Sequence, residues 1–424
     1  MPTSTPSSRG RRVLFPFITG VLALAVVEGA AWLITPVADR VLGEDIRPTT
    51  KIYAEQSQRI RELLDSTTPH RLQIDSILGW RYAPNFRDAR DQLNAMALRS
   101  DREYAPTPPR GVLRVAAFGD SYVYGTEVDN ANAWPTLMEV DNPRLEVLNY
   151  GVGGYGLDQA YLRYLHEGSL LSPQVVLLGF TEDDLRRVVN VYRRFISDAE
   201  YPLFKPRFQF ARDGELVLEP APVRTRTDYE RLLSHPASVT RFGSDDAWYD
   251  AAVYDDPLYN YSAAVRLAST LGERVYHRYL SRDRLIAGER FNPSSTAFRI
   301  QMAIFRQFAD SVRAAGRAPL VVVLPGRSSV EQRLAGQPRL DDPLLAQLKA
   351  DSIPYLDAAD AFAATTAPRN VARWFAPGGH YSPIGNRIVA AWLAARIPTM
   401  TLRPTVASGR RSAARPVATS ASRN

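Results

Sequence analysis

The chain has 424 residues, of which 45% are hydrophobic and 23% charged, a balance typical of a globular protein with a sizeable core. Its net charge of +7 comes almost entirely from arginines scattered among acidic residues, whereas a nucleic-acid-binding surface clusters basic residues with aromatic ones. The absence of cysteine excludes disulfides, thiolate metal sites and a cysteine nucleophile. We expect no nucleic-acid partner, no metal and no cofactor.

An apolar segment near the N-terminus predicts a membrane anchor over residues 13–35. Residues 13–34 are apolar apart from Thr19 and Glu28, and at 1.5 Å per residue they reach about 33 Å, enough to cross the hydrocarbon core. Arginines precede the segment, so residues 1–12 are predicted to be a cytoplasmic basic tail and the rest to face outside, periplasmic in a Gram-negative cell. A cleaved signal peptide is the alternative.

Beyond the anchor, the chain divides into a lead-in, one large domain and a tail. We predict a stalk and lead-in over 36–110, an α/β domain over 111–400 and a disordered tail over 401–424, since the tail has almost no large apolar residue. An insertion at about 190–295 interrupts the domain. Insertions of this size near a site often act as lids or specificity modules.

Short apolar runs alternate with helical patterns throughout the large domain. The predicted strands are Leu113–Phe118, Leu145–Leu148, Val175–Phe180, Leu320–Leu324 and Pro354–Leu356. The predicted helices are Trp134–Val140, Leu157–His166, Ser295–Ala315, Pro343–Lys349 and Ile388–Ala395. Buried apolar strands separated by helices predict a parallel sheet with helices on both faces. Ligands of such sheets bind beyond the carboxyl ends of the strands.

The turn after the first predicted strand contains a candidate nucleophile. Gly119-Asp120-Ser121-Tyr122 follows the strand directly, and a tight turn at this place can lift a serine hydroxyl out of the fold. On these four residues alone, an ordinary turn capped by Ser121 explains the pattern equally well. The later loops of the chain therefore decide between the two interpretations.

Three later segments lie where a serine nucleophile needs partners. The glycine-rich run from Asn149 to Gly156 follows the second strand and lets backbone N–H groups approach an oxyanion. The third strand ends in Thr181-Glu182-Asp183-Asp184. His380 stands in a glycine-rich loop before the last helix, where an imidazole can be exposed and aimed.

This order of motifs resembles the GDSL, or SGNH, hydrolase family over residues 111–398, and the lead-in run 94–100 is similar to that of membrane-anchored members. The resemblance implies an α/β fold, a flavodoxin-like three-layer sandwich with a central parallel sheet, here with an added N-terminal transmembrane helix. It also implies that Ser121 is the nucleophile and one oxyanion donor, that Gly154 supplies a second backbone donor, and that His380 is the general base.

Two positions depart from the family pattern. Asp183 stands where the family has an asparagine donor to the oxyanion, and an ionised carboxylate cannot donate a hydrogen bond. Pro377 stands where the family has an aspartate, three residues before the histidine. Asp357, Asp360 or Asp184 could orient the histidine instead, or a backbone carbonyl could, leaving a Ser–His dyad.

The expected function is that of a membrane-anchored, extracytoplasmic serine esterase. Its substrate would be an acyl ester on a glycan or a lipid, with an O-acetyl group of a cell-envelope glycan as the first candidate. An acyltransferase to a glycan hydroxyl and a non-catalytic glycan-binding or assembly module on the same fold are the alternatives. The departures at Asp183 and Pro377 favour the last, whereas the presence of Ser121, Gly154 and His380 favours the enzyme.

Overall fold

The structure of the protein is a computed structural model that describes residues 8–42, 46–197, 200–281, 283–366 and 370–401. Residues 1–7 of the predicted basic tail and 402–424 of the predicted disordered tail lie outside the described residues.

The described part of the chain alternates strands and helices, with helical segments added in the insertion. The strands are β1 (Leu72–Asp75), β2 (Gly79–Tyr82), β3 (Leu113–Phe118), β4 (Leu145–Asn149), β5 (Val175–Phe180), β6 (Arg207–Phe210), β7 (Leu216–Glu219), β8 (Ile286–Ala287), β9 (Arg290–Phe291), β10 (Ala318–Val323) and β11 (Tyr355–Asp357). The α-helices are α1 (Ser8–Leu42), α2 (Thr49–Leu64), α3 (Ser121–Tyr124), α4 (Trp134–Asp141), α5 (Leu157–Glu167), α6 (Asp184–Arg187), α7 (Arg226–Ser234), α8 (Ala251–Tyr254), α9 (Ala263–Val275), α10 (Thr296–Ala314), α11 (Arg327–Ala335), α12 (Asp342–Ala350), α13 (Ala359–Ala364) and α14 (Pro383–Thr401). Short 3₁₀ or π turns lie at Asn130–Asn132, Arg193–Phe195, Pro236–Asp245, Pro257–Asn260, Tyr276–Leu280 and Val371–Trp374.

The central sheet is parallel and has the strand order β11-β10-β5-β3-β4. Numbered along the chain, this is the order 2-1-3-4-5 of flavodoxin-like folds, so the predicted fold class is confirmed. The strand order reverses between β3 and β5, and their carboxyl ends form the crevice in which ligands of such sheets bind. The predicted nucleophile turn follows β3 at this point.

Helices cover both faces of the sheet because its strands are apolar on both sides. On one face, Val115 and Ala117 of β3 pack with α4 and α14. On the other face, Ala116 and Phe118 pack with α5 and α10. All four side chains are completely buried, as the unbroken apolar runs of the predicted parallel strands require.

The lead-in and the insertion share a third apolar cluster, which covers the glycine-rich loop after β4. Trp80 and Tyr82 of β2 pack there with Phe204 and Tyr229 of the insertion. Trp80 Nε1 donates to the Gly153 carbonyl at 3.2 Å, and the Gly153 N–H donates to Tyr82 Oη at 2.8 Å. The insertion also contains the antiparallel hairpin β6–β7. These two segments therefore form one wall beside the carboxyl edge of the sheet.

The N-terminal helix α1 includes the predicted anchor and extends beyond it. By length and composition, Leu14–Leu42 is long and apolar enough to cross a membrane. The helix passes through Pro36, where the sequence suggested an end, and continues to Leu42.

Candidate active site

Ser121 lies at the first position of α3, directly beyond the carboxyl end of β3. Asp120 caps this helix, because its carboxylate accepts the Tyr122 N–H at 2.8 Å. Gly125 ends the helix in the left-handed conformation, at φ 82°. The serine is 8% exposed, so it is largely buried at this edge of the sheet.

A buried polar network fixes the serine turn to the end of β5. The Asp120 carboxylate also accepts from Thr181 Oγ1 at 3.1 Å and from Arg187 Nη1 at 2.8 Å. Asp184 accepts the Thr181 N–H at 2.9 Å. Burial, and then the negative charge of Asp120, raise the pKa of Asp184 well above the usual carboxyl range. Arg187 lies between the carboxylates of Asp120 and Asp183, at 2.8 Å and 3.3 Å, and its cation balances negative charge beneath the serine.

The glycine-rich loop runs along the serine turn. The Val152 N–H donates to the Gly119 carbonyl at 3.1 Å. At Gly151, a Cβ atom would lie 2.2 Å from the Tyr124 backbone nitrogen, so only glycine permits this approach. Gly154 follows with φ +78°, a conformation that favours glycine. Within the described ranges, the backbone N–H groups of Ser121 and Gly154 donate to no protein group, as two oxyanion donors require.

His380 is paired with Glu127, which lies just after the short helix α3 that begins at the nucleophile. Its Nδ1 lies 2.9 Å from Glu127 Oε2. The tautomer is assigned from this contact: Nδ1–H donates to the carboxylate and Nε2 is left as an acceptor. Both partners are about one-fifth exposed. A base held in this tautomer can take a proton from a serine hydroxyl.

Glu127 is itself held by the backbone of the histidine loop. Its carboxylate accepts the Gly378 N–H at 2.7 Å and the His380 N–H at 3.1 Å. Partial burial alone would raise the pKa of Glu127, but these bonds and the imidazole lower it overall. A Cβ atom on Gly378 would lie 2.8 Å from the carboxyl group, so a larger residue there would displace the Glu127 carboxylate. Glu127 has φ +73°, a strained conformation of the kind that clusters at functional sites.

Tyr122 links the serine turn to the histidine loop. Its hydroxyl donates to the Gly379 carbonyl at 2.9 Å, and its ring centroid lies 5.1 Å from that of His380. Since Tyr122 directly follows Ser121, this hydrogen bond ties the histidine loop to the serine turn. Within the described residues, no hydrogen bond joins the Ser121 hydroxyl to the imidazole, and such bonds are often long in substrate-free enzymes.

None of the carboxylates suggested by the sequence orients His380. Asp357 pairs with Arg339, and Asp360 accepts from Arg333 at 2.8 Å. Asp184 is bound to the Thr181 backbone. These interpretations were therefore wrong, as was the backbone-carbonyl dyad. Glu127 was missed because a carboxylate shortly after the serine gives no sign of the loop that it will meet across 253 residues.

Asp183 lies beside the site, and Arg187 compensates its negative charge. Its side chain is 57% exposed and its carboxylate lies 3.3 Å from Arg187 Nη2. The same guanidinium binds Asp120, so Asp183 belongs to the edge of the network beneath the serine. The structure thus offers no neutral amide donor at this position.

A small polar cavity lies beside Glu182, just beyond the carboxyl end of β5. Its volume is about 200 Å³. It is lined by Glu182, Ile286, Gly288, Glu289, Ser328, Ser329, Gln332 and Leu340. A Cβ atom at Gly326 would lie 3.8 Å from the Glu182 carboxylate and 3.9 Å from Tyr122 Oη, so Gly326 lies between Glu182 and the Tyr122 hydroxyl.

Comparisons with known proteins add little beyond the fold. The sequence matches no family model and no curated protein. Among solved structures, a lipolytic protein assigned to the G-D-S-L family from Desulfitobacterium hafniense has a TM-score of 0.31 and 12% identity, covering 66% of this chain and 98% of that chain. A protein assigned as an acylhydrolase from Bacteroides fragilis has a TM-score of 0.32 and 12% identity, covering 70% and 91%. An alpha/beta hydrolase from the metagenome of Lake Arreo, Spain, has a TM-score of 0.32 and 13% identity, covering 67% and 94%. Likenesses this distant do not transfer an activity to this chain.

Proposed function

We propose that the protein is a serine ester hydrolase of the SGNH type with the triad Ser121, His380 and Glu127. The observation that carries the proposal is the 2.9 Å contact between His380 Nδ1 and the Glu127 carboxylate. It supplies the orienting acid that Pro377 cannot supply. It also leaves Nε2 as a proton acceptor next to the turn that presents the serine.

In the proposed reaction, His380 Nε2 takes the proton from Ser121 Oγ as that oxygen attacks the acyl carbonyl. The backbone N–H groups of Ser121 and Gly154 donate to the developing oxyanion. His380 then gives its proton to the leaving alcohol, and an acyl-serine remains. Water repeats the sequence, with His380 as base, and releases the acid. Glu127 stabilises the imidazolium formed in each step.

Because of Asp183, this site lacks the third oxyanion donor that the SGNH family pattern includes. A third, amide donor to the oxyanion is typically worth roughly 10²–10³ in kcat. An exposed carboxylate paired with Arg187 at 3.3 Å does not supply it. We infer a working but slowed esterase, since the two backbone donors are still in place.

The polar cavity beside Glu182 supports a hydroxyl-rich leaving group rather than a long acyl chain. Carboxylate, amide and hydroxyl side chains form most of its lining, and these groups suit sugar hydroxyls. We therefore propose an acyl ester of a cell-envelope glycan, with an O-acetyl group as the first candidate. The same acyl-serine could pass to a sugar hydroxyl instead of water, which would make the protein an acyltransferase.

An active-site probe tests the chemistry. The full-length purified chain should react with a fluorophosphonate, and Ser121→Ala should abolish labelling and reduce ester hydrolysis by on the order of 10⁴–10⁶ in kcat. Ser169→Ala, at an exposed surface serine, is the matched control and should label normally. If the folded wild-type protein neither reacts with the probe nor hydrolyses short-chain acyl esters, the proposed esterase activity is refuted and a glycan-binding module is favoured. Turnover only with an added sugar acceptor would identify the transferase.

The proposed location is the outer face of the cell membrane, with α1 as an uncleaved anchor. It is supported by the apolar length of α1 and by the arginines that precede it. A C-terminal alkaline phosphatase fusion should be active. Recovery of a soluble mature chain that begins near Trp32 would instead show a cleaved signal peptide.

A further inference from the structure

The segment 257–280, here called the α9 segment, carries a concentration of exposed apolar side chains. Outside α1, more than half of the exposed large apolar side chains among the described residues belong to it. These side chains are Leu258, Tyr261, Leu271, Val275, Tyr276, Tyr279 and Leu280. Tyr261 is 85% exposed and Tyr279 67%. Exposed apolar side chains grouped in one segment of a folded domain mark an interaction site.

The α9 segment is joined to α1 by Glu28, the one carboxylate inside the predicted anchor. The Glu28 carboxylate accepts from Ser262 Oγ at 2.6 Å, from the Ala263 N–H at 2.5 Å and from the Ala264 N–H at 3.2 Å. These donors form the N-terminus of α9, where unpaired N–H groups and the helix dipole favour an anion. A costly charge in an apolar helix is thereby satisfied.

A second hydrogen bond connects the C-terminal parts of α1 and α9. Arg274 Nη1 donates to the Leu42 carbonyl at 2.9 Å. The two helices therefore run side by side in the same direction, from the level of Glu28 to the level of Leu42. The height of α9 relative to a bilayer is then fixed by the height of α1.

The thickness of a bilayer places Glu28 inside the hydrocarbon core, below its outer boundary. The arginines before residue 13 stop the helix from entering the membrane earlier. A span that begins at residue 13 needs about 20 residues to cross the hydrocarbon core, so it ends near Trp32. Trp32 is 69% exposed and suits the interface, where tryptophan is enriched. Any tilt of the helix lengthens the span and lowers Glu28 further.

From these observations, we propose that the α9 segment is a lipid-binding surface that enters the outer leaflet beside α1. Leu258 and Tyr261, at the Glu28 end, lie in the acyl-chain region. Tyr276 and Tyr279, at the Leu42 end, lie farther out, toward the headgroups and water. The proposal rests on α1 as an anchor and does not depend on the chemistry of Ser121. Its consequence is a catalytic domain held at a set height and orientation over the membrane.

Spin labels on the full-length chain in phosphatidylethanolamine–phosphatidylglycerol vesicles test the proposal directly. Because the chain has no cysteine, Tyr261→Cys, Tyr279→Cys and Asp213→Cys each give one labelling site, the last on the exposed turn of the hairpin β6–β7 as control. Power saturation compares collisions with oxygen, which enters lipid, and with a nickel complex, which stays in water. The oxygen-to-nickel ratio should be several-fold higher at 261 than at 213, with 279 in between.

The remaining outcomes of these measurements would contradict the proposal or one of its parts. Equal ratios at 261 and 213 would overturn the proposal. Low access to both reagents at 261 would show contact with protein, such as a second copy, and would overturn it too. Glu28→Gln should lower the ratio at 261, whereas the matched surface change Glu230→Gln should not. An unchanged ratio in Glu28→Gln would refute the role of Glu28 in setting the height. None of these readings depends on esterase activity.

Discussion

Replacing Glu127 by glutamine is the sharpest test of the proposed triad, because it keeps the shape and removes one acceptor. In the wild-type protein, Oε2 accepts from His380 Nδ1 and from the His380 N–H, and Oε1 accepts from the Gly378 N–H. Glutamine has a single acceptor oxygen and an NH₂ group that only donates. Either the two N–H groups of His380 or the N–H of Gly378 must therefore face the NH₂ group of the glutamine, which is itself a donor.

Both orientations of the new amide harm the site. If its oxygen keeps the His380 contacts, the NH₂ group opposes the Gly378 N–H, which lay 2.7 Å from the carboxylate, and this hydrogen bond to the histidine loop is lost. If the amide flips, the NH₂ group faces Nδ1 and stabilises the tautomer with a proton on Nε2. That tautomer cannot accept the serine proton. With the loss of imidazolium stabilisation, we expect kcat to fall by about 10²–10⁴.

The assay compares kcat, KM and fluorophosphonate labelling rate for wild type and Glu127→Gln with a short-chain acyl ester. KM should change little, because in the proposed mechanism Glu127 acts through His380. Glu215→Gln, at an exposed position on the hairpin turn, controls for loss of a surface charge. A folded Glu127→Gln variant with wild-type kcat, alongside an inactive Ser121→Ala variant, would refute Glu127 as the orienting acid.

Three further predictions concern the surroundings of the site. Asp183→Asn should raise kcat, by up to roughly 10² if the new amide reaches the oxyanion; a slower, well-folded variant in the ester assay would give the carboxylate a positive role. Gly378→Ala should displace Glu127, whose carboxyl group lies 2.8 Å from the position of the added carbon, and esterase kinetics should show a loss of kcat with little change in thermal unfolding. Lys205→Met should leave Asp158 without its buried ionic partner and lower the free energy of unfolding by about 3–5 kcal/mol. Denaturant unfolding in detergent should show much of that loss restored when Asp158→Leu is added, and no restoration would contradict the pairing.

The strands and helices of the large domain were predictable because local periodicity reports which faces are buried. The predicted strands Leu113–Phe118 and Val175–Phe180 agree with the structure at both ends. An unbroken apolar run in a strand needs cover on both faces, so the parallel sheet followed from the sequence as well. The turn at Ser121 and the glycine-rich loop could be located by their positions after the strands.

The partners across loops depended on the tertiary structure. Glu127 meets His380 only because the last loop folds back over the serine turn, and Glu28 meets α9 across 235 residues at the Ala263 N–H. A carboxylate has no periodic signature, since it can be solvated wherever it lies, and its partner depends on the path of distant loops. The sequence by itself therefore determined the sheet and the places of Ser121 and His380. The folded chain decided which acid completes the site and which surface lies beside the anchor.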